Sequence, residues 1–134
     1  LAAAPAPSSS GAIAAAMAGA SRVIACDLDQ DALTATALNA AENRVNLELS
    51  RDLDSALAVA DLVTAADILY DRENLPLLAR FQQASQVLLA DSRVPDLNPP
   101  GYRLLGQWQS CTWPDLGESS EYNGVRVFAS EPSP

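Results

Sequence analysis

Residues 22–43 read RVIACDLDQDALTATALNAAEN, and the fold turns on how the first six of them end. An apolar run, Val23-Ile24-Ala25-Cys26, stops on two carboxylates, Asp27 and Asp29, and alanine-rich helix formers follow at once. A short run with no polar residue suits a strand buried on both faces of a parallel sheet. One acid at that point is accounted for as a helix N-cap or a turn residue. Two acids, one residue apart at the carboxyl end of a buried strand, point to a held ligand beside a cap.

The same phrase returns along the chain. NLELS (46–50) alternates as a strand, Arg51-Asp52 opens a loop, and a short helix is expected around 55–58. DLVTAADILYD (61–71) begins as a buried strand and finishes on Asp67, Tyr70 and Asp71, and QVLLAD (86–91) closes on Asp91. Between these runs, helical spacing over 30–42 puts Leu33, Ala37, Leu38 and Ala41 on one stripe, and 73–84 does so with Leu75, Leu78, Ala79 and Phe81. GAIAAAMAGA (11–20) reads as a short helix stopped by Gly19. Strand, helix, strand with short connections predicts an α/β fold, a Rossmann-like doubly wound, mostly parallel sheet. After the proline-rich 92–101, two strands near 102–111 and 124–130 are expected to pair antiparallel at the C-terminus. Ligands of such sheets sit beyond the carboxyl ends of the strands, where this chain places Asp27, Asp52, Asp67 and Asp91.

Composition narrows the chemistry. A chain of 134 residues, 49% hydrophobic, is one domain by length and has enough apolar material for a packed core. A formal charge of −9 argues against a nucleic-acid partner, which a basic face would have to hold, and favours a basic protein. Histidine is absent, which removes the usual general base and the commonest metal ligand, so no metal is expected. Cys26 and Cys111 are far apart without metal-ligand spacing and read as small buried residues of a reduced, cytoplasmic chain. No apolar run is long enough to span a membrane, and the alanine-rich N-terminus lacks the basic start of an export signal. A monomer is expected.

These segments together resemble the class I, seven-strand S-adenosylmethionine-dependent methyltransferases, over nearly the whole chain. VIACDLDQDAL is similar to the family's second strand, whose terminal acid accepts hydrogen bonds from both ribose hydroxyls of the cofactor. The resemblance makes that acid Asp27, with Leu28 beside it, and leaves Asp29 as the helix cap. LSRDL resembles the segment that reads adenine through an acid and the next backbone amide, here Asp52 and Leu53. AADILYDRENLPLL resembles the Asp-x-x-Tyr element of the protein-lysine branch, with Asp67 and Tyr70 in the motif positions, Asp67 at the edge of the cofactor site as well. AIAAAMAGASRVIACDLD, LNAAEN and LLADSRVPDL look closest to the enzymes that methylate the electron-transfer flavoprotein β-subunit, near relatives of ribosomal-protein lysine methyltransferases. The resemblance implies direct displacement of the sulfonium methyl by a neutral lysine amine of a protein substrate. A lysine of ordinary pKa, about 10.4, must first lose its proton, which burial favours, and Asp67 and Tyr70 would receive and aim the amine. Two alternatives stay open on the residues: a nicotinamide-dinucleotide-binding domain, which also needs an acid such as Asp27, and a non-catalytic or truncated remnant of the methyltransferase fold.

The family's acid and glycine-rich turn after its first strand has no counterpart in LAAAPAPSSSG, where only Gly11 remains. The reading therefore expects an extended or disordered segment over 1–11 and an N-terminally incomplete domain over 12–134. It expects the usual first strand to be missing, through truncation or a shifted reading frame. Such a sheet would lack its centre and be marginally stable, leaving activity of this chain uncertain.

Overall fold

The structure is a computed structural model that describes residues 2–3, 10–111, 117 and 123–132. Its elements run β1 (Ala2–Ala3), α1 (Ser10–Met17), β2 (Ile24–Cys26), α2 (Gln30–Glu42), β3 (Glu48–Ser50), α3 (Leu53–Leu57), β4 (Leu62–Ala66), α4 (Leu75–Phe81), β5 (Gln86–Asp91), β6 (Tyr102–Gln109) and β7 (Gly124–Ser130). Two 3₁₀ turns, Ile68–Tyr70 and Arg72–Asn74, join β4 to α4. One seven-stranded sheet has the order β3-β2-β1-β4-β5-β7-β6. The first five are parallel neighbours, while β7 runs antiparallel to both β5 and β6. This is the doubly wound sheet with an antiparallel C-terminal pair that the strand-and-acid pattern predicts.

One expectation is overturned. The first strand is present: Ala2 pairs with Ile24 and Val63, and Ala3 with Ala25 and Thr64, so β1 lies at the centre between β2 and β4. Two residues of backbone pair with two residues of each neighbour whatever the side chains are, and two alanines near a proline carry no strand pattern to read. The marginal stability inferred from a missing centre falls with that premise. The rest of the segment expected to be extended or disordered divides likewise: residues 4–9 lie outside the described residues, and Ser10 and Gly11 already belong to α1.

Two cores flank the sheet. One buries Ile24, Val63, Ala65, Val87, Leu89 and Phe128 against Leu57 of α3 and Leu78 and Phe81 of α4. The smaller sets Val23 and Ala25 against Ala12 of α1. Helix α2 turns differently from its expected stripe. Leu33, Thr36 and Ala40 are buried, whereas Leu38 is 65% exposed. Thr36 tolerates burial because its hydroxyl donates to Ala32 O at 2.8 Å, leaving an apolar methyl outward. In α4, Leu78 and Phe81 face the core while Leu75 and Ala79 do not. Tyr102 closes the far side of this core, its hydroxyl donating to Leu78 O at 2.6 Å. Burial pushes that phenol up to about 12, so it remains a donor at any physiological pH.

Candidate active site

The order of the sheet reverses beside β1, and the crevice beyond the strand ends opens there. A cavity of about 760 Å³ occupies it, walled by Cys26, Asp27, Leu28, Arg51, Asp52, Leu53, Ile68, Tyr70, Asn74 and Leu77 among others. That volume is of the size that takes a drug-sized ligand. Five of the six residues assigned to a site from the sequence line this one space: Asp27, Leu28, Asp52, Leu53 and Tyr70. Asp67 is absent from its wall.

Each strand end works differently. Asp27 follows β2, its N–H extending the ladder to Ser50 O at 3.1 Å, and its carboxylate is half-buried in the cavity. Oδ1 accepts from Asp29 N at 2.9 Å, and among the described residues Oδ2 accepts no hydrogen bond. Asp29 caps α2 by accepting from Asp31 N at 2.9 Å, the division of labour expected of this pair. Leu28, between them, is 76% exposed, a large apolar side chain held at the cavity wall with little protein over it.

Asp52 is an N-cap as well as a cavity residue. Its Oδ1 accepts from Ser55 N at 3.1 Å and its Oδ2 from the Ser55 hydroxyl at 2.5 Å. Those two donors hold its carboxyl below the usual carboxylate range. A carboxylate oxygen has a second lone pair, so one further donor can be received at each. Leu53 is the first residue of α3, where a helix has no internal partner for its N–H. Acceptor and donor thus sit side by side on one loop.

Asp67 leaves β4 in a left-handed conformation, φ 49° and ψ 32°, a strained geometry for a residue with a side chain. Its N–H still joins Ala90 O at 2.9 Å, and its Oδ1 accepts both from Ser92 N at 2.9 Å and from the Ser92 hydroxyl at 2.8 Å. Tyr70, three residues on, is 74% exposed and reaches the cavity. Asn74 ties the intervening turn together by donating to Ile68 O at 2.8 Å. Neither Ser92 nor Asn74 was singled out from the sequence, because a serine and an asparagine in loops carry no distinguishing pattern.

Asp91 is fully buried and is structural in its contacts. Its Oδ2 accepts from Val94 N at 2.9 Å and Arg93 N at 3.2 Å, with Arg126 Nη2 at 3.9 Å, while Oδ1 has no partner among the described residues. Burial, with Asp67 nearby, pushes its carboxyl up from the ordinary value, although the Val94 amide acts against this. Burial also pushes the Cys26 thiol up, so it lines the cavity as a neutral wall. Cys111, expected to be buried, is exposed, two residues past the end of β6. Among the described residues no cluster of acids and cysteines has metal-binding geometry, and no helix is long and apolar enough to cross a membrane.

A central parallel sheet, acids at the ends of β2 and β3, and an antiparallel β6–β7 pair define the architecture of S-adenosylmethionine-dependent methyltransferases. A family model described as ribosomal protein L11 methyltransferase (PrmA) matches residues 8–80, more than half of the chain. The chain belongs to that family. Among solved structures it is similar to the ribosomal protein L11 methylase of Lactobacillus delbrueckii subsp. bulgaricus, at 21% identity and TM-score 0.67, over 98% of this chain and 69% of that one. The magnesium protoporphyrin IX methyltransferase of Synechocystis PCC 6803, solved with bound S-adenosylmethionine, aligns at 16% identity and TM-score 0.71, covering 98% and 69%. A Pyrococcus horikoshii protein described as an RNA methyltransferase by assignment aligns at 15% identity and TM-score 0.72, covering 98% and 71%. At these identities the likeness is one of fold. No curated protein matches the chain.

S-adenosylmethionine is the cofactor of this class, and the cavity suits it. The cavity wall offers an acceptor with one uncommitted oxygen (Asp27), an acid and an amide adjacent on one loop (Asp52, Leu53) and an exposed leucine (Leu28), group types that fit an adenosyl moiety. The nicotinamide alternative explains Asp27 only, and family membership decides against it.

Proposed function

We propose that this chain transfers the methyl group of S-adenosylmethionine to a lysine amine of a protein. The observation that carries the reading is convergence: Asp27, Leu28, Asp52, Leu53 and Tyr70, chosen from three separate sequence segments, line a single cavity. The cofactor would supply an electrophilic methyl on a positively charged sulfur. Asp27 would receive the two ribose hydroxyls as a charged acceptor. Asp52 would take the adenine amino group on a remaining lone pair, and Leu53 N–H would donate to the ring beside it. Tyr70 would bring a hydroxyl to the far side of the cavity and accept from the incoming amine. Asp67 would take a second N–H of that amine from outside the adenosyl wall, on the oxygen that Ser92 leaves uncommitted. With the amine so oriented, alignment lowers the barrier by several kcal/mol, on the order of what effective molarities give. A basic acceptor suits a chain of charge −9, and the family description supplies a candidate, ribosomal protein L11. The electron-transfer flavoprotein β-subunit is the second candidate, from the resemblance of AIAAAMAGASRVIACDLD, LNAAEN and LLADSRVPDL.

The test is a labelled-methyl assay with both proteins, and with ribosomal RNA as a third acceptor, followed by mass spectrometry of peptides. All eight basic residues of the chain are arginine, so it offers no lysine of its own and the background from self-methylation is nil. Label on lysine supports the reading. Label on RNA alone, or tight cofactor binding with no transfer, overturns it and leaves a different acceptor or a binding remnant.

A further inference from the structure

The cavity holds one cation whose role nothing above assigns. Arg51 lines it, between the end of β3 and the N-cap of α3, in company with Asp27, Asp29, Asp52 and Asp54. Arg80, the other arginine on this wall, is committed to Asp54 Oδ1 at 2.5 Å. Arg51 has no such pair. Its single hydrogen bond among the described residues is from Nε to Leu28 O, at 3.2 Å. That bond carries the side chain from the adenine-side loop over to the ribose-side loop. Nε–H is therefore spent on the backbone of Leu28, and both Nη groups remain without a protein partner among the described residues.

We propose that Arg51 is an adenosyl-binding residue, its guanidinium plane and Leu28 together forming the outer wall of the adenine subsite. The inference rests on the cofactor reading above and adds a determinant to it. Guanidinium groups are flat, weakly hydrated and favour the faces of aromatic rings, so a purine entering the cavity meets a stacking partner already oriented by its Nε bond. Leu28, 76% exposed, gains cover at the same moment. The Arg51 bond to Leu28 O also couples the two loops, so the ribose acceptor and the adenine acceptor are held at a fixed separation before ligand arrives.

Titration calorimetry of the 134-residue chain with S-adenosylhomocysteine and with 5′-methylthioadenosine, which keeps adenine and ribose but lacks the amino-acid portion, tests this. Arg51→Ala is expected to weaken both ligands about tenfold, and Arg51→Lys, which keeps the charge but not the plane, to give no recovery. Thermal melts of both variants should match the wild type, since the side chain is exposed. Unchanged affinities in Arg51→Ala overturn the proposal, as does full recovery in Arg51→Lys. Loss confined to S-adenosylhomocysteine also overturns it, by moving the guanidinium to the ligand's carboxylate. A wild-type chain that binds neither ligand brings down the cofactor reading itself, an outcome distinct from failure in the variant alone.

Discussion

Asp27→Ala separates a ribose acceptor from a loop-forming turn residue. Oδ1 of Asp27 already accepts the Asp29 amide, so the ligand's hydroxyls have Oδ2 and one remaining lone pair to share. Hydrogen bonds to a charged group contribute about 1.5–3 kcal/mol each when buried, and the half-buried position sets the pair at about 2–3 kcal/mol in total. That predicts S-adenosylhomocysteine affinity about 30- to 150-fold weaker, read by titration calorimetry. The variant also loses the Asp27–Asp29 turn contact, a stability effect of about 1 kcal/mol that a thermal melt reads separately. Asp29→Ala is the matched control. It removes the α2 cap, costs about 1 kcal/mol of stability, and should leave affinity within about twofold, because its oxygen faces Asp31 N. Affinity retained in Asp27→Ala, or equal losses in both variants, refutes the assignment and makes the two acids one capping unit.

Tyr70→Phe and Asp67→Asn should lower methyl transfer at least tenfold, about 1.4 kcal/mol of barrier, with S-adenosylhomocysteine affinity unchanged. Equal losses in transfer and binding would make them cofactor or structural residues. Tyr102→Phe should lower unfolding free energy by about 1–2 kcal/mol in urea, since Leu78 O loses a buried donor; a wild-type midpoint would show that the bond is replaced. Stability should also depend on pH through Asp91. Its folded value lies above its unfolded value, near 3.8, so its share of stability is full below that pH and falls as pH rises through the raised value. Asp52 and Glu48 work the other way. Their carboxyls are held low in the fold, by Ser55 and by Arg22 respectively, so their contribution is present at neutral pH and lost as acid protonates them. Melts of Asp91→Asn against wild type from about pH 3 to about pH 7 should remove the first trend and keep the second.

The parallel core was legible because its signal is strong: Val23 to Cys26, Leu62 to Ala66 and Val87 to Ala90 are short apolar runs between helical patterns, and each pairs as expected. Side chains announced those strands. In β1 only the backbone matters, and Ala2-Ala3 gave no pattern to find. The placement of β7 between β5 and β6 was also beyond reach, because the sequence shows two strands joined by a polar turn and not which of them meets Asp91. Burial of Asp91 beneath Arg126 depends on that placement of β7, while the hydroxyl from Ser92 on Asp67 depends on the parallel β4–β5 pairing of segments distant in sequence.

Four acids end four strands, and sequence treats them alike, yet their surroundings give them four chemistries. What separates them is which donors lie within reach and how much water remains. Asp27 has one donor and an open side, which suits a ligand. Asp52 has two donors from a single serine, which makes it first a cap and then an edge of the cavity. Asp67 is fixed by Ser92 in a left-handed turn, its orientation set before any substrate arrives. Asp91 is fully buried, and two backbone amides and a guanidinium at 3.9 Å answer one of its oxygens while the other has none among the described residues. A strand-end carboxylate is thus an indication of where ligands bind, and the partners that the fold delivers decide which of them binds one. By that criterion Asp27 is the residue to test first, and Asp91 is the one whose removal should alter the fold's response to pH and leave the ligand alone.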